Sequence, residues 1–284
     1  MIEKKDVCIL ILTFGRSENQ KTDKMLDAMQ SEIDRYFVVS ADDGELQNYK
    51  KKYGEKVIVF DKSDYRLCEI DNFDDIGSVV YARNASFDIV GSLGYKYFLM
   101  LDDDYRTIEL RIDKKYKYIR YSPIRKKIID EIFLEIFKFL EKSGADCVAM
   151  AQAGDFLGGK ECGYARDLKL RRKVMNSFFL KANSDLRFVG KYNDDVNTYC
   201  LKGLRGKKLF TIPYLVVVQT ITQGAKGGLT ESYLKHGTYH KSLSTVMLCP
   251  SFVRVSCMGN KHKRIHHKIG WGNACPKILK KKSV

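Results

Sequence analysis

The sequence has no long hydrophobic segment. In its 284 residues no run of consecutive apolar residues exceeds about eight, whereas a helix that crosses a bilayer needs about 20. The N-terminal MIEKKDVCILILTFGR resembles a signal peptide, but its apolar run is too short and no small-residue cleavage site follows. We therefore interpret this run as a buried first strand, and we expect a cytoplasmic protein with no membrane partner.

Regular cysteine spacing is also absent. The eight cysteines include no C-x-x-C pair, and several of them lie inside apolar runs. Buried, reduced thiols are the simpler interpretation of this distribution. The glycine-containing stretch 151–160 lacks the Gly-Lys-Ser/Thr ending of a phosphate-binding loop, so it is a poor candidate for one.

The charge is strongly positive. Fifty Lys and Arg against 35 Asp and Glu give a formal net charge of +15 at pH 7. This excess favours an anionic partner, nucleic acid first, with basic clusters at 114–127, 169–173 and 261–282. A generally lysine-rich proteome is the alternative explanation, because positive charge is also spread along the chain.

Apolar runs alternate with helical patterns in the first part of the chain. Residues 7–13, 36–40 and 57–60 have the composition of buried strands, and 19–34 and 45–53 have the spacing of helices. This order is typical of a doubly wound α/β sheet with right-handed crossovers. Later segments predict a helix at 124–142 ended by Gly144, and strands at 146–151, 171–180, 186–189 and 210–222.

Residues 106–122 alternate charged residues with Tyr, Ile and Leu. The alternation predicts a β-hairpin, and its basic and aromatic side chains suit stacking on bases or contact with a phosphate backbone. An amphipathic edge hairpin with no such role fits equally well.

Three carboxylates follow a short apolar run at 97–101. In an extended segment Asp102 and Asp104 would face one way and Asp103 the other. Two aligned carboxylates beyond a buried strand make an oxygen site for Mg²⁺ or Mn²⁺, at the edge where open α/β sheets bind ligands. A solvated acidic turn is the alternative.

The residues before this strand strengthen the metal interpretation. Ala82, Arg83 and Asn84 open a helical pattern of about ten residues, from which Arg83 could reach a diphosphate held by the metal. The ordered set of ARN, helix, apolar strand and L-D-x-D resembles the nucleotide-sugar-binding core of GT-A-type glycosyltransferases. The resemblance implies a GT-A-like, Rossmann-like mixed sheet flanked by helices, with an elaborated C-terminal acceptor-side region.

Two further acidic pairs follow predicted elements. Asp42 and Asp43 lie in a turn after strand 36–40, where they could accept hydrogen bonds from a ribose or a uracil imide. Asp194 and Asp195 lie at the start of a predicted helix, which capping and the helix dipole alone could explain. In glycosyltransferases of this architecture such a pair commonly lies below the acceptor, with one carboxylate as general base.

All five histidines fall after residue 235. His266 and His267, within RIHHKIGW, are the sharpest pair. A neutral imidazole there could complete the coordination of the cation or contact the departing phosphate. A zinc site is the alternative, although the spacing does not resemble a zinc finger.

The C-terminal segments GLTESYLKHGTYHKSLSTVMLCPSFVRVSCMG and RIHHKIGW, with ILTFGR, ARN, LDDD and NDDV before them, resemble the TET-associated glycosyltransferases. That phage-centred family implies a UDP-sugar donor, a divalent cation and an acceptor hydroxyl on 5-hydroxymethylpyrimidine in DNA, most simply 5-hydroxymethylcytosine. It also implies the host cytoplasm if a phage encodes the chain. Leu243 departs from the family, which has an aromatic residue there, so the details of acceptor binding stay open.

The same resemblance distributes roles over the candidate residues. Asp102 and Asp104 would hold the metal with His266 or His267, and Asp194 or Asp195 would act on the acceptor. Residues 1–105 would form the nucleotide-sugar-binding half, and 106–284 the acceptor-side half, of a single domain spanning 1–284. The donor would contact Thr13, Phe14, Arg16, Asp42, Asp43, Arg83, Asp102, Asp103 and Lys268.

Two other functions remain open at this point. The chain could be a glycosyltransferase for a cell-surface polysaccharide or a protein, with a basic face that touches a membrane. It could also be a DNA-binding module that keeps the fold without catalysis. Binding to anionic liposomes would favour the first, and function that survives loss of the Asp102 and Asp104 charges would favour the second.

Overall fold

The computed structural model describes residues 2–65, 78–110, 119–120, 128–152, 177–219, 239–258 and 263–274. Within these ranges nine strands form one mixed sheet and two more form a separate hairpin. The strands are β1 (Val7–Thr13), β2 (Asp34–Ser40), β3 (Val57–Phe60), β4 (Tyr97–Asp102), β5 (Tyr105–Leu110), β6 (Ile119–Arg120), β7 (Cys147–Gln152), β8 (Ser177–Lys181), β9 (Leu209–Gln219), β10 (Val253–Met258) and β11 (Arg264–Ile269). The helices are α1 (Lys21–Ala28), α2 (Leu46–Tyr53), α3 (Val80–Leu93), α4 (Ile128–Ser143), α5 (Asp194–Leu204), α6 (Tyr239–Leu248) and α7 (Trp271–Ala274).

The sheet has the order β3-β2-β1-β4-β8-β7-β9-β5-β6. Its first four strands are parallel, whereas β8 runs antiparallel to both β4 and β7. Strand β9 is parallel to β7 and antiparallel to β5. A parallel, Rossmann-like half is thus extended by reversed strands, which confirms the predicted α/β, GT-A-like fold.

The sheet is buried on both faces, which explains the continuous apolar runs of its central strands. All seven residues of β1 are buried, and alternate side chains enter different cores. One core joins β1 and β4 to α3 and α5, through residues such as Phe87 and Tyr199. The other joins the same strands to α1, α2 and α4, through residues such as Leu26 and Phe133.

Most predicted elements are confirmed, with shifted ends. Strand 57–60 is found as predicted, α1 is shorter than 19–34, and Gly144 ends α4 with a φ of +60°. The predicted hairpin is confirmed by the antiparallel pairing of β5 and β6. In β9 the pairing with β7 shifts around Pro213, as a strand proline predicts. Parts of the predicted elements, namely residues 111–118, 121–127, 171–176 and 220–222, lie outside the described ranges.

The predicted strand at 186–189 is wrong. Its backbone binds side chains instead of a neighbouring strand. Phe188 N–H donates to Oδ1 of Asn84 at 2.8 Å, and Val189 N–H donates to Oγ1 of Thr198 at 2.9 Å. The apolar composition reflects burial of Leu186 and Phe188 in the core, which a strand and an irregular segment share.

None of the helices in the described ranges is both long and apolar enough to cross a membrane.

Candidate active site

A cavity of about 220 Å³ lies where β1, β2 and β4 end. The carboxyl ends of parallel strands meet at this edge, and ligands bind there in open α/β sheets. Asp102, Asp103 and Asp104 form one side of the cavity. The other lining residues come from the ends of β1 to β3 and the start of α3: Leu12, Thr13, Phe14, Arg16, Ser40, Phe60, Lys62, Ser78, Val79 and Ala82.

Asp103 is the centre of a buried hydrogen-bond network beneath the cavity. Its carboxylate accepts from Thr13 Oγ1 at 2.6 Å and pairs with Arg16 Nη1 at 2.6 Å. The backbone amides of Lys21 and Thr22, at the start of α1, donate to its carbonyl oxygen. Burial raises the pKa of Asp103, and Arg16 and Thr13 oppose that rise. The turn after β4 is therefore fixed from two sides, with Arg16 at the cavity wall.

Asp102 lies between the cavity and a buried arginine. Nη2 of Arg83 is 3.2 Å from Oδ1 of Asp102, and the Asp102 side chain is 23% exposed. Burial raises the pKa of Asp102 to about 7; Arg83 opposes the rise, whereas Asp104 and Asp194 add to it. Near neutral pH this carboxyl is thus poised between its two protonation states.

Arg83 is 2% exposed and does not line the cavity. Its Nε lies 2.6 Å from Oδ2 of Asp194, an ion pair that lacks the alignment of a hydrogen bond. The guanidinium packs 4.8 Å from the ring centre of Phe178 and 5.6 Å from that of Phe188. We expected Arg83 to reach a diphosphate directly. It lies behind Asp102 instead, because its side chain is buried against Phe178 and Phe188.

Asp194 and Asp195 form the first turn of α5, as the sequence predicts, and both are buried. Burial raises the pKa of Asp194, and Arg83 lowers it. Arg83 contacts both Asp194 and Asp102, so a single side chain separates the acidic pair at the start of α5 from Asp102.

Phe14 and Lys62 also line the cavity, and Asp42 contacts Lys62. Nζ of Lys62 donates to Oδ2 of Asp42 at 2.8 Å and lies 4.4 Å from the ring centre of Phe14. Asp43 is turned away from the cavity and accepts from the backbone N–H groups of Gly15 and Glu45, each at 2.8 Å. Sequence reasoning missed Lys62, because it follows β3 in a polar connection that carries no motif.

His266, His267 and Lys268 lie on β11 and do not line the cavity. The two imidazoles stack with ring centres 4.4 Å apart, and His266 Nδ1 donates to the carbonyl oxygen of His267 at 2.7 Å. Nδ1 of His267 is 3.5 Å from Nδ2 of Asn193. Lys268 is exposed.

The predicted set of Asp102, Asp104 and a histidine is not assembled as a metal site. Across the described ranges, no three His, Cys, Asp or Glu side chains converge closely enough to hold an ion. His267 contacts Asn193; the next residue, Asp194, pairs with Arg83, and Arg83 in turn contacts Asp102.

Asp102 and Asp104 alone still fit a divalent cation. Both line the cavity, and burial raises the pKa of each, with Asp103 adding to the rise at Asp104. A nearby positive charge would stabilise the ionised form of both carboxylates. Mg²⁺ is commonly bound by one or two carboxylates together with substrate phosphates and water.

The characteristic sequence of the TET-associated glycosyltransferases matches residues 7–228, which is most of the chain and includes all of the cavity residues. The chain belongs to this family. It is therefore a glycosyltransferase, and the cavity at the end of β4 lies within the matched region. A search of curated proteins finds no relative of this glycosyltransferase by sequence.

Solved structures resemble this glycosyltransferase only distantly. A protein classed as a nucleotide-diphospho-sugar transferase from Desulfovibrio desulfuricans G20 is 10% identical, with 87% of this chain and 94% of that chain covered and a TM-score of 0.42. A cytidylyltransferase from Leptospira borgpetersenii is 13% identical, with 86% and 92% covered and a TM-score of 0.39. Neither similarity is high enough to support a conclusion about this chain.

Proposed function

We propose that this glycosyltransferase moves a sugar from a UDP-sugar to the hydroxymethyl group of 5-hydroxymethylpyrimidine in DNA, with 5-hydroxymethylcytosine as the expected base. The observation that carries the proposal is the cavity at the end of β4, whose lining includes an aromatic ring, Phe14, a lysine, Lys62, and the three aspartates 102–104. A nucleoside diphosphate offers a flat base that can stack on the aromatic ring, and phosphate oxygens that a cation held by the aspartates would bind.

The donor is proposed to bind along this cavity. Phe14 would stack on the uracil, and Asp42 with Lys62 would meet the polar edge of the base or the ribose. Asp102 and Asp104 would hold Mn²⁺ or Mg²⁺, which neutralises charge on the diphosphate leaving group when bound. Arg16, fixed by Asp103, is at the cavity wall and would contact the same phosphates.

The acceptor is proposed to enter from the side of α5. One of Asp194 and Asp195 would take the proton of the hydroxymethyl oxygen as that oxygen bonds to the anomeric carbon. The bond from that carbon to the diphosphate oxygen breaks, and UDP leaves. In this arrangement residues 1–105 serve the nucleotide sugar and residues 106–284 serve the acceptor.

The net charge of +15 favours DNA over a neutral acceptor. A base stacked in a duplex cannot enter an enzyme pocket, so the target nucleotide must leave the stack. Cellular DNA and nucleotide sugars place the reaction in the cytoplasm.

The test is to incubate the protein and Mn²⁺ with UDP-sugars and DNA that carries 5-hydroxymethylcytosine. The mass of the DNA is then measured by mass spectrometry. We expect a gain of one sugar for the wild type and none for Asp102→Asn. The control Asp27→Asn changes an exposed carboxylate on α1 and should leave the gain intact. No gain with any donor, while a polysaccharide or protein acceptor is modified, would remove the DNA claim.

A further inference from the structure

The side chain of Asn193 joins α5 to α6. Asn193 directly precedes α5 and is 7% exposed. Its Nδ2 donates to the carbonyl oxygen of Lys241 at 2.7 Å and to Oγ1 of Thr245 at 2.9 Å, and both acceptors belong to α6. Each of the two N–H hydrogens of the carboxamide thus has a hydrogen-bond acceptor. Nδ1 of His267 on β11 lies 3.5 Å from the same nitrogen.

Helix capping does not explain this residue. An Asn that caps a helix normally has an extended backbone, and its side-chain oxygen accepts from an amide of the first turn. Asn193 makes no such bond, and its backbone is left-handed, with φ 55° and ψ 38°. Its own carbonyl accepts from the Asn197 N–H at 2.8 Å, so the first turn of α5 closes without the carboxamide.

The left-handed backbone of Asn193 lets two adjacent side chains contact different parts of the structure. Asn tolerates this conformation better than most residues, because its short polar side chain has little steric conflict there. The next residue, Asp194, pairs with Arg83, whereas the Asn193 carboxamide contacts α6. One peptide therefore connects the Arg83 and Asp102 cluster with α6.

Helix α6 is in turn attached to β11. Oγ of Ser242 donates to the carbonyl oxygen of Ile265 at 3.1 Å, and Ser242 is buried. Strand β11 also carries His266 and His267. A shift of α6 relative to α5 would thus change the gap between the aspartates of α5 and the histidines of β11.

We infer that Asn193 is a positioning residue, which fixes Asp194 and Asp195 relative to the α6–β11 side of the acceptor pocket. The inference rests on the proposed function in one respect, since it takes α5 and β11 as two sides of the space where the acceptor binds. It does not require Asn193 to touch a substrate. Loss of the carboxamide should impair sugar transfer and leave donor binding unchanged.

Two variants separate this role from general stability. Asn193→Gly keeps the left-handed backbone, because glycine adopts it freely, and removes only the carboxamide. Thr198→Val is the matched control. Thr198 is fully buried in the same helix, and its Oγ1 accepts from Val189 N–H at 2.9 Å, so the change removes a buried hydrogen bond that does not involve α6.

The first experiment measures two quantities, the steady-state kinetics of sugar transfer to 5-hydroxymethylcytosine DNA and the affinity for UDP. For Asn193→Gly we expect kcat/KM for the DNA to fall about tenfold or more, since small misplacement of a reacting group is costly. UDP affinity should stay within about twofold. Both variants lose buried hydrogen bonds and should lower the melting temperature, but Thr198→Val should keep its transfer kinetics. Equal transfer kinetics in the two variants would overturn the inference, as would loss of UDP affinity in Asn193→Gly.

The second readout does not depend on the acceptor. Amide hydrogen exchange in α6 and β11 should speed up more in Asn193→Gly than in Thr198→Val, because only the first variant loses the bonds to α6. Unchanged exchange in Asn193→Gly would overturn the positioning role even if transfer falls. If the wild type modifies no DNA, the DNA proposal fails by itself, and the exchange result alone then decides the role of Asn193.

Discussion

Arg83 and Asp194 form a buried ion pair with 2.6 Å between Nε and Oδ2, and the same guanidinium lies 3.2 Å from Asp102. One cation thus serves a carboxylate at the end of β4 and another at the start of α5. These two aspartates belong to the proposed donor and acceptor sides. Their separation is fixed by a side chain that itself packs against Phe178 and Phe188.

Replacement of Arg83 by Met should therefore destabilise the whole fold. The buried Asp194 and the partly buried Asp102 would lose their shared cation, and leaving a buried charge unpaired typically costs about 3–5 kcal/mol of unfolding free energy. Urea denaturation measures this loss. The control Lys52→Met breaks a pair with Glu18 at the surface and should cost less than about 1 kcal/mol. Equal losses in the two variants would contradict the bridging role of Arg83.

The stability of the protein without divalent cations should depend on the protonation of Asp102. Its pKa is raised from 3.8 to about 7 by burial, so the folded state keeps the proton longer than the unfolded state. The contribution of this carboxyl to the free energy of unfolding is most favourable below about pH 4. It declines as the pH rises to about 7, by up to about 1.4 kcal/mol per pH unit.

Unfolding of the wild type and of Asp102→Asn over this pH range measures that decline. The asparagine variant does not titrate at this position, so the wild type should lose stability relative to it as the pH rises. A difference between the two proteins that is constant with pH would contradict the raised pKa of Asp102.

Phe14 should contribute to UDP binding through stacking. Phe14→Ala should weaken UDP affinity about tenfold, since stacking of a base on an aromatic side chain is worth about 1–3 kcal/mol. Phe14→Tyr keeps the ring and should retain the affinity. Tyr214→Ala removes an exposed aromatic residue on β9 and serves as the control. Calorimetric titration with UDP and Mn²⁺ measures all four proteins, and equal affinity for Phe14→Ala and the wild type would exclude the stack.

Asp103 should act through Arg16. Asp103→Asn preserves shape but removes the charge that holds Arg16 at 2.6 Å, and we expect a loss of about 1.5–3 kcal/mol in unfolding free energy. UDP affinity should fall as well, because Arg16 loses its fixed position at the cavity wall. The control Asp27→Asn removes an ion pair with Arg35 at the surface, which should cost less than about 1 kcal/mol and leave UDP affinity unchanged. Wild-type stability and affinity in Asp103→Asn would contradict this coupling.

The parts of the fold that the sequence predicts are those set by local pattern. Buried strands such as β1 and β4 require continuous apolar runs, and the turn after β4 and the start of α5 carry recognisable acidic residues. The failed strand at 186–189 shows the limit of that signal. Burial requires apolar residues in any conformation, and the side chains of Asn84 and Thr198 take the backbone bonds that a strand would have made.

The parts of the site that could not be predicted depend on distant partners. Arg83 meets Asp194, which follows it by 111 positions, only because α3 and α5 pack on one face of the sheet. Lys62 pairs with Asp42 only because β2 and β3 are neighbours. The role expected for His266 and His267 at the metal depends on the placement of β11, which their spacing in sequence does not fix.

The most direct test of the donor site is a crystal structure of the protein with UDP and Mn²⁺. We predict the uracil against Phe14, the diphosphate beside Arg16, and the ion bound to Asp102 and Asp104. UDP bound outside this cavity, or an ion held away from both aspartates, would contradict the proposed donor site.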